Sequence, residues 1–145
     1  MSARRAATAG RLGAVQRVRE ILERRALGDL ARGEAEVDAA EQRLEERRQA
    51  YRSRPAPPPS LSPLQLRALQ LQGLGAHELV EAATGDLDVA EHRRDELWQA
   101  WSHASIARKS VDRLVERRGV EEAVAAEQAT NRALDELILQ RRQQR

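Results

Sequence analysis

Between Leu12 and Arg52 the chain carries no proline, and its apolar residues Val15, Val18, Leu22, Ala26, Leu30, Val37, Leu44 and Tyr51 advance by three, by four or by whole heptads. Such spacing keeps a narrow stripe on one side of a helix, which is the seam of a coiled coil. The pattern predicts a first helix over residues 12–53. Leu22, Ala26 and Leu30 step by four and four, a stutter that locally unwinds a supercoil. Gly28 and Gly33 each cost about 1 kcal/mol against alanine in a helix. The middle of this helix is expected to be its weak point.

From Ser53 to Pro59 the chain reads S-R-P-A-P-P-P, where fixed φ angles and missing donors end any helix. A Pro-rich hinge is expected over 54–62. Ser62 then precedes Pro63 and stands three residues before Gln65, the arrangement of an N-cap with proline at the first helical position and a capping box. Leu64, Leu66, Leu69 and Leu71 predict a short helix over 63–73, interrupted by Gly73 and Gly75. A long proline-free helix follows over 76–142, with a soft spot at Thr84-Gly85-Asp86. Its heptad columns are Ala83, Ala90, Leu97, Ala104 and Val111 beside Leu87, Arg94, Trp101, Arg108 and Val115.

Neither seam can remain in water, and the hinge holds the second close to the first at high effective concentration. The fold class that follows is all-α: a long two-helix antiparallel coiled-coil hairpin with a short extra helix near the hinge, one domain over residues 1–145. The predicted seam takes Leu22, Leu30, Val37, Leu44 and Tyr51 from the first helix and Leu97, Trp101 and Val111 from the second. Helices of these lengths would run roughly 60 and 85 Å, giving a radius of gyration well above the roughly 15 Å of a compact chain this long. Two registers are open. A flush one brings Leu12 near Arg142 and Tyr51 beside His103; a tighter hinge pairs Arg52 with residues near Ala76 and leaves roughly the last 25 residues without a partner seam.

Composition supports the helical picture and narrows the chemistry. Ala, Leu, Glu, Arg and Lys make up 84 of 145 residues, Phe is absent, and the only aromatics are Tyr51, Trp98 and Trp101. That bias belongs to long helices and argues against a sheet protein. Without cysteine there is no disulfide framework, no thiolate chemistry and no cysteine-based zinc site. Met1 to Gly13 lacks the apolar run of a signal peptide, and no stretch has eighteen apolar residues, so a cytoplasmic, soluble protein is expected.

Charge is uneven along the chain. Residues 1–54 carry 13 basic and 9 acidic groups, residues 55–107 carry 3 and 7, and residues 108–145 carry 9 and 7. The ends are basic and the middle is acidic. Solvated helix faces are the common reason for such a distribution, and two different partners are the sharper one. The arginines Arg4, Arg5, Arg11, Arg17, Arg19, Arg24 and Arg25, with Arg141, Arg142 and Arg145, could dock on an acidic protein surface or on phosphate. Nucleic acid is the weaker choice, because Glu20 and Glu23 interleave the cluster and no aromatics are there to stack on bases.

No catalytic, metal or cofactor site is expected. His92 and His103 lie three turns apart on a helix, about 16 Å, too far to share one metal. No phosphate-binding glycine loop is present, and the many carboxylates are scattered on helices that offer no concave pocket in which to shift their pKa values. Trp98 and Trp101 stand at i and i+3; both could serve the seam and its flank, or one could be an exposed anchor for a partner.

Several stretches together resemble a known family. Arg11-Leu12-x-x-Val15-x-Arg17-Val18-Arg19-Glu20, followed by Glu23-Arg24-Arg25-Ala26, Leu30-Ala31, Glu41 and Leu44, is similar to the opening helix of the flagellar export protein FliJ family. Asp112-Arg113-Leu114-Val115-Glu116-Arg117-Arg118 and Asn131-Arg132-Ala133-Leu134-Asp135-Glu136 resemble the far end of the same family. The resemblance implies an antiparallel two-helix coiled coil similar to the stalk of rotary ATPases, with no enzymatic activity, no small-molecule substrate and no cofactor. It implies three partners: the flagellar export ATPase ring, the cytoplasmic domain of the export gate membrane protein, and flagellar substrate chaperones. The expected place is the cytoplasm, at the inner-membrane export apparatus. On that basis Arg11, Arg17, Arg24, Arg25, Arg141 and Arg142 are candidates for the ring contact, and Leu66, Leu69, Leu79 and Trp98 for the gate contact. The flush register would sum the fields of the two basic ends. A homo-oligomeric structural coiled coil is the alternative function.

Overall fold

The computed structural model describes residues 2–144, with side chains from Gly10 to Gln144. Two helices account for nearly all of it: α1, Ser2–Arg52, and α2, Pro63–Gln143. Among the described residues there is no strand. The helices pack against each other antiparallel, so the all-α two-helix hairpin expected from the periodicity is the fold.

Compact packing divides the hairpin into a hinge-proximal unit, Arg24–His103, and a second unit made of Met1–Glu23 and Ala104–Arg145. In the hinge-proximal unit the buried positions of α1 are Leu30, Gly33, Val37, Ala40 and Leu44, alternating steps of three and four. This is the knobs-into-holes spacing, with small residues every other layer. Ala40 is fully buried, and Ala83 is the buried apolar residue contributed by α2. Around it the half-buried positions Ala76, Val80, Leu87, Ala90, Arg94, Leu97 and Trp101 follow the two heptad columns legible in the sequence. At Gly33 the helices approach closely: a Cβ built there would meet Leu97 Cδ1 at 2.7 Å and Arg94 Cα at 3.6 Å. Far from weakening α1, this glycine belongs to its best-buried stretch.

The hinge is closed by specific contacts. Arg54 Nε donates to the Tyr51 carbonyl at 3.1 Å and its guanidinium lies 4.2 Å over the Tyr51 ring. The same guanidinium crosses above Gly73, which has no side chain to obstruct it. Tyr51 faces His77 at 6.2 Å between ring centroids. At the start of α2 the Ser62 backbone N–H donates to Gln65 Oε1 at 3.0 Å and the Gln65 N–H donates to Ser62 Oγ at 3.2 Å. These reciprocal bonds form the capping box.

Three points follow, two corrections and a choice between the two open registers. The short helix over 63–73 and the long helix over 76–142 are one helix, running unbroken through Gly73, Gly75 and Gly85. A glycine costs about 1 kcal/mol in a helix, which is a weakness and not a stop, and none of the glycines takes a positive φ that would turn the chain. The register is the tight one. Tyr51 meets His77 and not His103, Glu36 meets Arg93 at 3.8 Å, and Gln16 meets Asp112 at 2.8 Å. With α2 unbroken from Pro63, the flush register would have left about its first 40 residues unpaired beyond the hinge, whereas a short loop closes the tight one at small entropic cost. Third, Leu22 is exposed, as are Val15 and Val18. The seam there runs instead through Gln16, Glu20, Glu23 and Ala26. Tyr51 stands at the edge, 38% exposed. Leu30, Val37 and Leu44 are buried, while Leu97, Trp101 and Val111 are half-buried.

Candidate functional site

The second unit has a polar seam. Gln16 Nε2 donates to Asp112 Oδ1 at 2.8 Å. Arg108 Nε lies 2.7 Å from Glu23 Oε2 and 3.9 Å from Asp112 Oδ2. The Nε–H of Arg108 is buried and not aligned for a hydrogen bond, so its attraction to Glu23 is that of charges in contact. Glu23, its side chain 17% exposed, is held mostly out of water by this pairing. Polar residues at seam positions fix register at some cost in stability, because any shift along the seam leaves them unpaired. Arg108 was visible in the sequence as a charge inside a heptad column; its partners were not.

The candidate arginines Arg11, Arg17, Arg24, Arg25, Arg141 and Arg142 are all exposed. The hairpin does not bring the two groups together. Arg17 adjoins the Gln16–Asp112 level, and Arg141 stands 29 residues further along α2, about 43 Å of helix. Their fields therefore do not sum as the flush register would have had it, since 43 Å exceeds the Debye length of about 8 Å at physiological salt several-fold. The side chains of Arg4, Arg5 and Arg145 lie outside the described residues.

Of the candidates for a second contact, Leu66, Leu79 and Trp98 are exposed, and Leu69 is half-buried beside the hinge. Trp98 is 54% exposed while Trp101 occupies the seam, so the two tryptophans divide into an outward-facing side chain and a packing side chain. Near the hinge Arg48, Tyr51, Arg52, His77 and Val80 line a cavity of about 190 Å³. In the second unit Leu12, Gly13, Val115, Arg118, Gly119 and Glu122 line another of about 190 Å³. A broader concavity at Asp88, His92, Arg93 and Glu96 is lined by α2 alone, so its polar groups arrive from one side only. Among the described residues no three potential ligands gather to hold a metal ion.

Two apolar surfaces lie off the packed seam, and Val15, Val18 and Leu22 of the first belong to the stripe that the periodicity had assigned to it. Val15, Val18, Ile21 and Leu22 are exposed on α1, and Val120, Val124, Leu134, Leu137 and Ile138 are exposed on α2 after Val115, its last half-buried position among the described residues. The signal for the second was present: after Val115 the heptad columns alternate charged residues and alanines, Arg118, Glu122, Ala125, Ala129, Arg132 and Glu136, and most large apolar residues move to another side of the helix. Among the described residues no helix is long and apolar enough to cross a membrane. Compared with known proteins, the chain matches no family model, no curated sequence and no solved structure.

Proposed function

We propose that this chain is a FliJ-like, non-enzymatic component of the flagellar protein export apparatus. In this reading it is a coiled-coil element linking the export ATPase ring to the export gate and handling substrate chaperones. The observation that carries the proposal is the antiparallel two-helix hairpin with exposed arginines along the early part of α1. That is the architecture the resemblance of Arg11–Glu20 and of Asp112–Arg118 implies. The arginines Arg11, Arg17, Arg24 and Arg25 steer docking on an acidic ring surface, and Arg141 and Arg142 add a separate contact further along α2. Trp98 and, about 30 residues earlier on the same helix, Leu66 present separate apolar areas to the gate, with Leu79 between them and half-buried Leu69 near the hinge. The chain acts in the cytoplasm, held at the inner membrane by these partners.

Binding to the export ATPase of the same organism tests this. Reversing Arg17, Arg24 and Arg141 to Glu should weaken the complex and slow association, most visibly near 0.01 M salt, where the Debye length is about 30 Å. Helicity should be unchanged. Binding by the triple variant as tight as the parent's at that salt would overturn the docking role of the arginines, and no binding by the parent would overturn the proposal itself.

A further inference from the structure

We propose that the far part of α2, residues 116–144, is an interface for a second copy of this chain, paired antiparallel about a two-fold axis at Ala129. This does not rest on the export reading, since it concerns the chain alone.

Every residue from Glu116 to Gln144 is exposed. The unit to which it belongs buries no apolar side chain among the described residues; its one buried residue is Ser105. Val120 is 64% exposed, and Val124, Leu134, Leu137 and Ile138 are about half exposed. A helix carrying such a face in water lacks the burial that normally stabilises an amphipathic helix.

The face is complementary to itself. Val120, Val124, Glu127, Asn131, Leu134 and Ile138 advance by four, three, four, three and four, a heptad seam that reads the same in both directions from Ala129. In an antiparallel pair Val120 meets the partner's Ile138 and Val124 meets the partner's Leu134. At the centre each Asn131 amide can donate to the partner's Glu127 carboxylate, giving two equivalent hydrogen bonds across the axis. A parallel pair in register would instead stack Glu127 on Glu127. Thr130 donates its hydroxyl to the Ala126 carbonyl at 3.0 Å, which leaves its methyl group for the flank of the seam.

Charge favours the same orientation. Residues 116–128 carry four acidic groups and two arginines, while their mirror, residues 130–142, carries three arginines and two acidic groups. The net-acidic half therefore lies on the partner's net-basic half, and Glu116 faces the partner's Arg142. Arg117 and Arg141 mirror each other at the outer ends, where long side chains reach water and bound the apolar stretch. The seam from Val120 to Ile138 spans under three heptads, with two apolar layers on each side of the central Glu127 and Asn131 layers.

Sedimentation equilibrium of the full chain tests the pairing. The parent should be a dimer, and Leu134→Glu with Ile138→Glu should raise the dimer dissociation constant at least tenfold, while Val89→Glu, on an exposed site of the other unit, should leave it unchanged. The parent has no cysteine, so orientation is read from single replacements. A mixture of Val120→Cys and Ile138→Cys chains should oxidise to the mixed disulfide, and Val120→Cys alone should not cross-link. A parent that stays monomeric at every concentration, a dimer that survives the double replacement, or efficient cross-linking of Val120→Cys with itself would overturn the proposal. Loss of the dimer with retained ATPase binding would leave the export reading standing.

Discussion

A methyl group at Gly33 would press on Leu97 Cδ1, while one at Gly28 or Gly85 would meet nothing within 4 Å. The same residue type thus has opposite roles along these helices. At Gly33 its smallness lets two backbones approach; at the other two it only leaves the unfolded chain more freedom to lose. Gly28→Ala and Gly85→Ala should each stabilise the protein by about 1 kcal/mol. Gly33→Leu should destabilise it by about 1–3 kcal/mol through overpacking, and Gly33→Ala should gain less than Gly28→Ala because Leu97 must change rotamer. Thermal unfolding followed by circular dichroism measures all four. An equal gain from alanine at Gly33 and Gly28 would show that the helices do not approach as closely as described. The sequence marked these glycines as weak points but did not distinguish them, since the difference lies in what the other helix places opposite.

At the scale of the elements, local chemistry was legible and long-range pairing was not. The prolines after Ser53 and the Ser62, Pro63, Gln65 spacing declare where one helix stops and the next begins, because the backbone groups they remove or satisfy are neighbours in sequence. The capping box makes a direct prediction: Ser62→Ala should cost about 1 kcal/mol, and Ser62→Ala with Gln65→Ala little more, since both side chains serve one cap. Additive losses in urea unfolding would contradict a reciprocal cap. The register was not legible, because a heptad seam tolerates any offset of whole heptads and the apolar pattern alone scores them alike. What selects among them is the loop length and the polar set Gln16, Glu23, Arg108 and Asp112. The expected seam residues show the same limit: Leu30, Val37 and Leu44 are buried, whereas Leu22 is exposed beside a seam that runs through Glu20, Glu23 and Ala26.

For the molecule as a whole, the tight register determines what each surface can do. It separates the arginines of early α1 from Arg141 and Arg142 within the second unit, so a partner of each can be different. It also leaves the last turns of α2 with apolar side chains that no described residue of the chain covers. The candidate contacts Trp98 and Leu79 are large side chains outside the heptad columns, while Leu66, three heptads before Leu87, lies on a column and is nevertheless exposed; the stripe from Val120 to Ile138 was not legible, because it begins where those columns turn to charge and alanine. All these assignments depend on Gln16 standing opposite Asp112. In a chain without cysteine, Gln16→Cys with Asp112→Cys should be bridged efficiently within one molecule by a short bifunctional thiol reagent, and Arg17→Cys with Glu136→Cys should not. Bridging of the second pair and not the first would place Leu12 near the end of α2 and contradict the account.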